Sequence, residues 1–352
     1  MGAVAIALSL AASSCDNSFI FEQEGDCSPR VQFIFKKHRQ ALHSLDGRAS
    51  DAFYSAVGSV HLFVYDAESG ELVFEKAENT ENLSSASDLR IGSGTDRCFM
   101  PVDLQPGTYR FVAWCGLDET GHNNAFMLQE DDSSESRGSL APRYGHCRVK
   151  LATPGFPVHD EKYDALYHGV AGKVTVGDEG NQIIPIELTK DTNEISVWVQ
   201  HATHTFSEGE YEVVYADANG MMHFEDNSMK SPERLEYKPH TTSLLTSETE
   251  YNGSTVEAGA LVAHISTSRL MDANSRDARL EVRNREGKTV FSIPFIKYVT
   301  QMQTFTSDAQ YYLDCEDTYN CSFYLTGEEG AWMPARIIIN HWVIVPDQNS
   351  EL

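Results

Sequence analysis

The sequence predicts an all-β protein built from two β-sandwich domains in tandem. Three observations carry that expectation. Apolar residues alternate with a period of two in many short runs, the spacing that turns one face of a strand toward a core. Gly, Asn, Asp and Pro clusters separate the runs, as tight turns require. The 352 residues exceed what one sandwich needs, and a hydrophobic content of 41% is enough to build two cores.

The elements follow in order. Residues 1–14, MGAVAIALSLAASS, are apolar but too few to cross about 30 Å of hydrocarbon, which takes roughly 20 residues of helix. They fit the apolar region of a secretory signal. No Lys or Arg precedes the apolar run, so the natural start is expected further upstream. N-myristoylation at Gly2 is excluded by Ile6, which stands where Ser or Thr is needed. Ala12, Ser13 and Ser14 lead to Cys15 and suit both ordinary signal peptidase and the lipoprotein pathway. Only the second needs a cysteine next, because its thiol first takes diacylglycerol. Cys15 is therefore the expected lipidation site; the other reading is a cleaved signal with an incidental thiol. Two or three acyl chains, at about 0.8 kcal/mol per buried CH₂, anchor far more firmly than one myristoyl chain.

Residues 15–28 are acidic, lack helical period and read as a tether. The N-terminal sandwich is expected over 29–178. VQFIF puts Val31, Phe33 and Phe35 on one face, and a short helix is expected at Asp51–Val57. SVHLFVYDAESGELVFEK reads as strand, turn and strand, with Val60, Leu62 and Val64 on one side and Phe63 and Tyr65 on the other. In LQPGTYRFVAWCG, Tyr109, Phe111 and Ala113 alternate with Arg110, Val112 and Trp114. The stretch 129–139 is a charged, Ser-rich loop. The polar turn Gly177–Gly180 marks the expected boundary, with the C-terminal sandwich at 179–352. There, EISVWVQHA, LVAHISTSRL and ARLEVRNREGKTVFSIPF supply strands, Asp217–Gly220 (DANG) is expected to be a hairpin turn, and Ile337–Val345 a terminal strand.

The chemistry of function is narrowed mostly by exclusion. A net charge of -25 repels phosphate backbones and anionic headgroups, so no nucleic-acid partner is expected. Seven cysteines is an odd number; lipid at Cys15 leaves six, and Cys315 with Cys321, joined by a short polar loop in CEDTYNC, is the expected disulfide. The sequence has no GxGxxG after a strand, phosphate loop, HExxH or GxSxG elbow. His201 and His204 are three apart, on opposite faces of a strand unless a turn intervenes, and read as surface or core histidines rather than metal ligands. Trp114, Trp198, Trp332 and Trp342 read as core or sheet-edge residues rather than a sugar platform. No enzyme activity, metal or cofactor is expected.

Several stretches in order resemble the fimbrillin-associated anchor family of Bacteroidota, the minor-fimbrium anchoring lipoproteins. They are Cys15, Cys27, VQFIF, SDAFYSAVGSVHLFVYDAESG, LQPGTYRFVAWCGL, DALYHG, IELTKDTNEISV, DANG and IIINHWVIV. Ala12 stands where the family usually has Leu, and Cys115 where it often has Gly. The resemblance implies two transthyretin-like sandwiches, outer-membrane attachment through lipid at Cys15, and a base subunit that influences fimbrial assembly and length. It implies stalk subunits as partners, joined by β-strand complementation. An anchor cut between lipid and first domain would be severed, so Lys36, Lys37, Arg39 and Arg48 are expected to stay uncut, or the released part to remain held by pairing. The competing expectation is a surface glycan-binding lipoprotein of the same architecture.

Overall fold

A computed structural model describes residues 28–35, 53–128, 144, 148–151, 158–177, 182–223, 228–230, 233–301, 307–327 and 333–344. The signal, Cys15, Cys27, the basic residues at 36–48 and the 129–139 loop lie outside these residues.

In chain order the first elements are β1 (Arg30–Ile34), the helical turn α1 (Phe53–Ala56), β2 (Ser59–Asp66), β3 (Leu72–Asn79), β4 (Ser84–Ser85), β5 (Arg97–Pro101) and β6 (Gly107–Cys115). Next come β7 (Phe126–Leu128), β8 (Arg148–Leu151), β9 (Val158–His159), β10 (Tyr167–Val176), β11 (Ile183–Lys190) and β12 (Thr192–His201). Then follow β13 (Tyr211–Asp217), β14 (Met221–His223), β15 (Ser228–Lys230), β16 (Leu235–Tyr237), β17 (Thr241–Tyr251) and β18 (Ser254–Ser268). The chain closes with β19 (Arg279–Asn284), β20 (Thr289–Ile293), the short helices α2 (Phe295–Thr300) and α3 (Ala309–Asp314), β21 (Thr318–Thr326), β22 (Met333–Ile339) and β23 (Trp342–Ile344). The protein is all-β, as its alternation predicts.

The first sheet has eight strands, ordered β3-β2-β6-β10-β11-β1-β5-β4. Val31, Phe33, Phe99 and Met100 from one end of it enter the same core as Val60, Leu62, Phe111 and Ala113 from the other. The sheet therefore folds over itself as a sandwich. Its strands β2 and β6 are buried on both faces: Phe63, Tyr65, Val112 and Trp114 point outward into a second core. That core lies between a six-stranded sheet, β17-β18-β12-β21-β22-β23, and a five-stranded one, β20-β19-β13-β16-β9. Ile195, Val197, Val199, Tyr319, Cys321 and Phe323 fill it from the first; Val213, Tyr215, Leu280 and Val282 from the second. A small sheet, β15-β14-β8-β7, takes strands from both halves, with Met221–His223 paired to Arg148–Lys150.

Four sequence expectations change. β11 pairs antiparallel with β10 and parallel with β1, so it belongs to the first module and the chain changes sheet at Asp191. The boundary expected near 178 falls between two neighbouring strands of one sheet instead of between domains. DANG is not a hairpin: β13 before it pairs with β16 and β19, and β14 after it pairs with β15 and β8. The expected terminal strand is, over the described residues 337–344, two strands, because Asn340 (φ 44°) and His341 (φ 75°) turn the chain back and β22 pairs with β23. Finally, Cys315 and Cys321 are separate buried thiols. Cys315 caps α3, whereas Cys321 stands three extended residues along β21, opposite Val197 and Ile339, with its side chain in the core. With one thiol at a helix end and the other inside the core, the two do not form the expected bond.

Candidate attachment surfaces

A buried polar chain joins the sheets at the point where they meet. His168 of β10 places Nδ1 2.9 Å from Asp191, and both residues are buried. The Asp191 amide donates to the Leu166 carbonyl at 2.7 Å, and its own carbonyl accepts from the Arg269 amide at 2.7 Å. The Arg269 guanidinium then donates to both carboxylate oxygens of Asp314, at 2.8 and 2.7 Å. Burial opposes the Arg269 charge, yet hydrogen bonds and attraction from Asp314, with Asp191 beyond, keep its pKa above the ordinary value. Buried ions are tolerated when each is paired in this way.

DANG forms a second part of this interior. Asp217 accepts from Tyr215 Oη at 2.8 Å, from Asn274 Nδ2 at 2.8 Å and from the Ala218 amide at 2.7 Å. Burial nonetheless pushes its carboxyl up to about 6. Asn219 accepts from Tyr237 Oη at 2.6 Å and donates to the Ser268 and Arg269 carbonyls. A stretch expected to be a hairpin turn is thus a buried crosslink between β13, β16 and the end of β18. The signal that would have exposed it is chemical: two tyrosines on flanking strands whose hydroxyls need acceptors.

Among the described residues, strand edges and an open sheet face are accessible. β17 is an edge of the six-stranded sheet and is exposed along its whole length; β3, β20 and β23 are shorter edges. On the open face of that sheet Trp198 is 37% exposed and pairs with Ser322, which places Tyr324 diagonally beside it. Arg336 lies over the Tyr324 ring at 6.0 Å. Trp114 is in the core and Trp342 on the edge strand β23, as expected; Trp332 lies outside the described residues. A turn does follow His201, and its ring stands 5.9 Å from that of His204. His201 bonds the Gly327 carbonyl and His204 faces Glu210 at 3.1 Å, so each has a structural partner. Among the described residues no group of His, Cys, Asp and Glu could hold a metal, and no helix is long and apolar enough to cross a membrane.

Residues 23–347 match the family described as fimbrillin-A associated anchor proteins Mfa1 and Mfa2. The chain belongs to that family. It is a family of fimbrial structural proteins rather than of enzymes, and it associates with fimbriae at the cell surface. Solved structures share the fold. A candidate polysaccharide-binding protein from Bacteroides thetaiotaomicron VPI-5482 is 22% identical over 92% of this chain and 100% of its own, with a TM-score of 0.69. A candidate adhesin from the same organism is 24% identical over 90% and 97%, with a TM-score of 0.67. The fimbrial anchor protein Mfa2 from Porphyromonas gingivalis is 16% identical over 90% and 98%, with a TM-score of 0.57. No curated protein matches the chain.

Proposed function

We propose that this anchor-family protein is the lipid-anchored base of a fimbrium: acyl chains at Cys15 hold it in the outer membrane, and its strand-built modules hold the stalk. The observation that carries the reading is the family match, which begins in the acidic tether and runs to the last strand. The buried crosslinks at Asp191 and Arg269 support it, because a tether must pass load without letting its modules separate. The stalk is held by strand addition to an open edge, with main-chain hydrogen bonds giving affinity. The test replaces Cys15 with Ala in fimbriated cells. Expected are loss of the protein from the membrane fraction and shedding of fimbriae into the medium; fimbriae that stay on the cells would refute the reading.

One observation favours the glycan-binding alternative: the exposed Trp198 beside Tyr324 on an open sheet face. It stands second because Arg336 already covers the Tyr324 ring, leaving one open aromatic where sugar platforms use several. Retention on immobilised polysaccharide that disappears with Trp198→Ala would reverse the order.

A further inference from the structure

Among the described residues, the longest strand edge paired on one side only is β17, the eleven residues TTSLLTSETEY. It pairs with β18 from Thr241↔His264 to Tyr251↔Ser254 without a shift in register. Asn252 (φ 52°) and Gly253 (φ 78°) close the hairpin, the left-handed pair that a two-residue type I′ turn requires. β18 in turn pairs with β12 only from Gly259 onward. Residues 247–258 therefore stand clear of the sheet as a two-stranded arm with an open edge.

Proteins blunt exposed edges with short strands, bulges, Pro or Lys. The other edges here are blunted in these ways. β4 has two residues and β23 three; β3 carries Lys76 and a bulge opposite Val64 and Tyr65; β20 has a register shift near Arg283. β17 has no Pro, no Lys and no bulge. Its protection is charge of one sign. Residues 241–268 carry Glu248, Glu250 and Glu257 and no Lys or Arg. Glu248 stands directly opposite Glu257, an arrangement that weakens a hairpin. Glu250 shares that face and accepts from Thr255 at 2.9 Å. A second copy laid edge to edge through its own β17 would bring further carboxylates and no cation from residues 241–268, on top of a net charge of -25. A basic strand would relieve the repulsion. Leu244 and Leu245, both partly exposed near the sheet, offer it one apolar contact on each face.

We propose that β17 is the acceptor edge for an extended basic segment of a partner subunit, which adds as a seventh strand with Lys or Arg against Glu248, Glu250 and Glu257. The partner's identity as a stalk subunit rests on the anchor reading; the pairing chemistry does not. The test uses the full chain and a soluble peptide alternating lysine with valine and threonine, beside a counterpart with glutamate in place of lysine. Expected is binding of the basic peptide alone, weakened about tenfold or more by Thr246→Pro, with new hydrogen-exchange protection along β17. Should the proline disturb the arm, the triple variant E248Q/E250Q/E257Q leaves the backbone intact and is expected to weaken binding as strongly. Equal binding of both peptides, no binding, unaltered binding by the triple variant, or protection in the isolated chain of the β17 amides that face away from β18 would each overturn the proposal. So would dimerisation through this edge. In cells, arm variants that keep their fimbriae while Cys15→Ala cells shed them would sink the edge assignment and leave the anchor reading standing. Retention by Cys15→Ala cells sinks the anchor reading, and the peptide result still decides the edge.

Discussion

At Asp217, burial and hydrogen bonding oppose each other, and burial wins. Its carboxyl is pushed up to about 6 from an ordinary 3.8 despite three donors. The folded state thus holds this proton more tightly than the unfolded chain between those values. The contribution to stability is fully present below the unfolded value and is lost as pH rises through about 6, a swing of about 3 kcal/mol. Asp66, Asp88 and Asp118 have the opposite sense: hydrogen bonds from Ser69, Ser85 and Thr120 hold them below the usual range, so their effect falls at lower pH. In Asp217→Asn the amide cannot titrate. Urea unfolding between pH 4.5 and 6.5 is expected to show a flatter pH dependence in the variant than in the parent; parallel slopes would refute the assignment.

The arm of β17 and β18 begins where Gly259 passes under the 204–205 backbone. A Cβ there would lie 2.6 Å from the His204 carbonyl oxygen and 2.8 Å from Thr205 Cα. Gly259→Ala is therefore expected to destabilise the protein by about 1–3 kcal/mol, read as a shift in the denaturation midpoint, with the arm re-aimed relative to β12. The same arm shows what the sequence conceals. Strands with a face on a core declared themselves: Val60, Leu62 and Val64, or Ile195, Val197 and Val199, alternate because burial requires it. TTSLLTSETEY has no such alternation, because neither of its faces lies on a core, so nothing in its apolar pattern marks it as a strand. Asn252-Gly253 was the one local signal that marked the hairpin. DANG misled for the converse reason. Turn chemistry specifies a change of direction but says nothing about which sheet the chain enters next. The expected bond between Cys315 and Cys321 is not formed for a related reason: closeness along the chain does not set where two side chains point.

Across the whole molecule, the two sandwiches share an interior, since Phe63, Tyr65, Val112 and Trp114 leave the first sheet to join the core of the second. Neither module buries its apolar surface alone. Unfolding is therefore expected to be one cooperative transition, with the fluorescence of the tryptophans and far-UV circular dichroism coincident in denaturant; two separated transitions would show that the modules are independent. The parallel pairing of β1 with β11 has a mechanical consequence. Arg30 to Ile34 lie beside Ile183 to Glu187, and β11 runs straight through Asp191 into the second module. A pull on the chain ahead of β1 drags that strand backward, while a pull on the second module drags its neighbour forward. The two then slide along their common axis, and every rung between them resists in shear at once instead of peeling open one at a time.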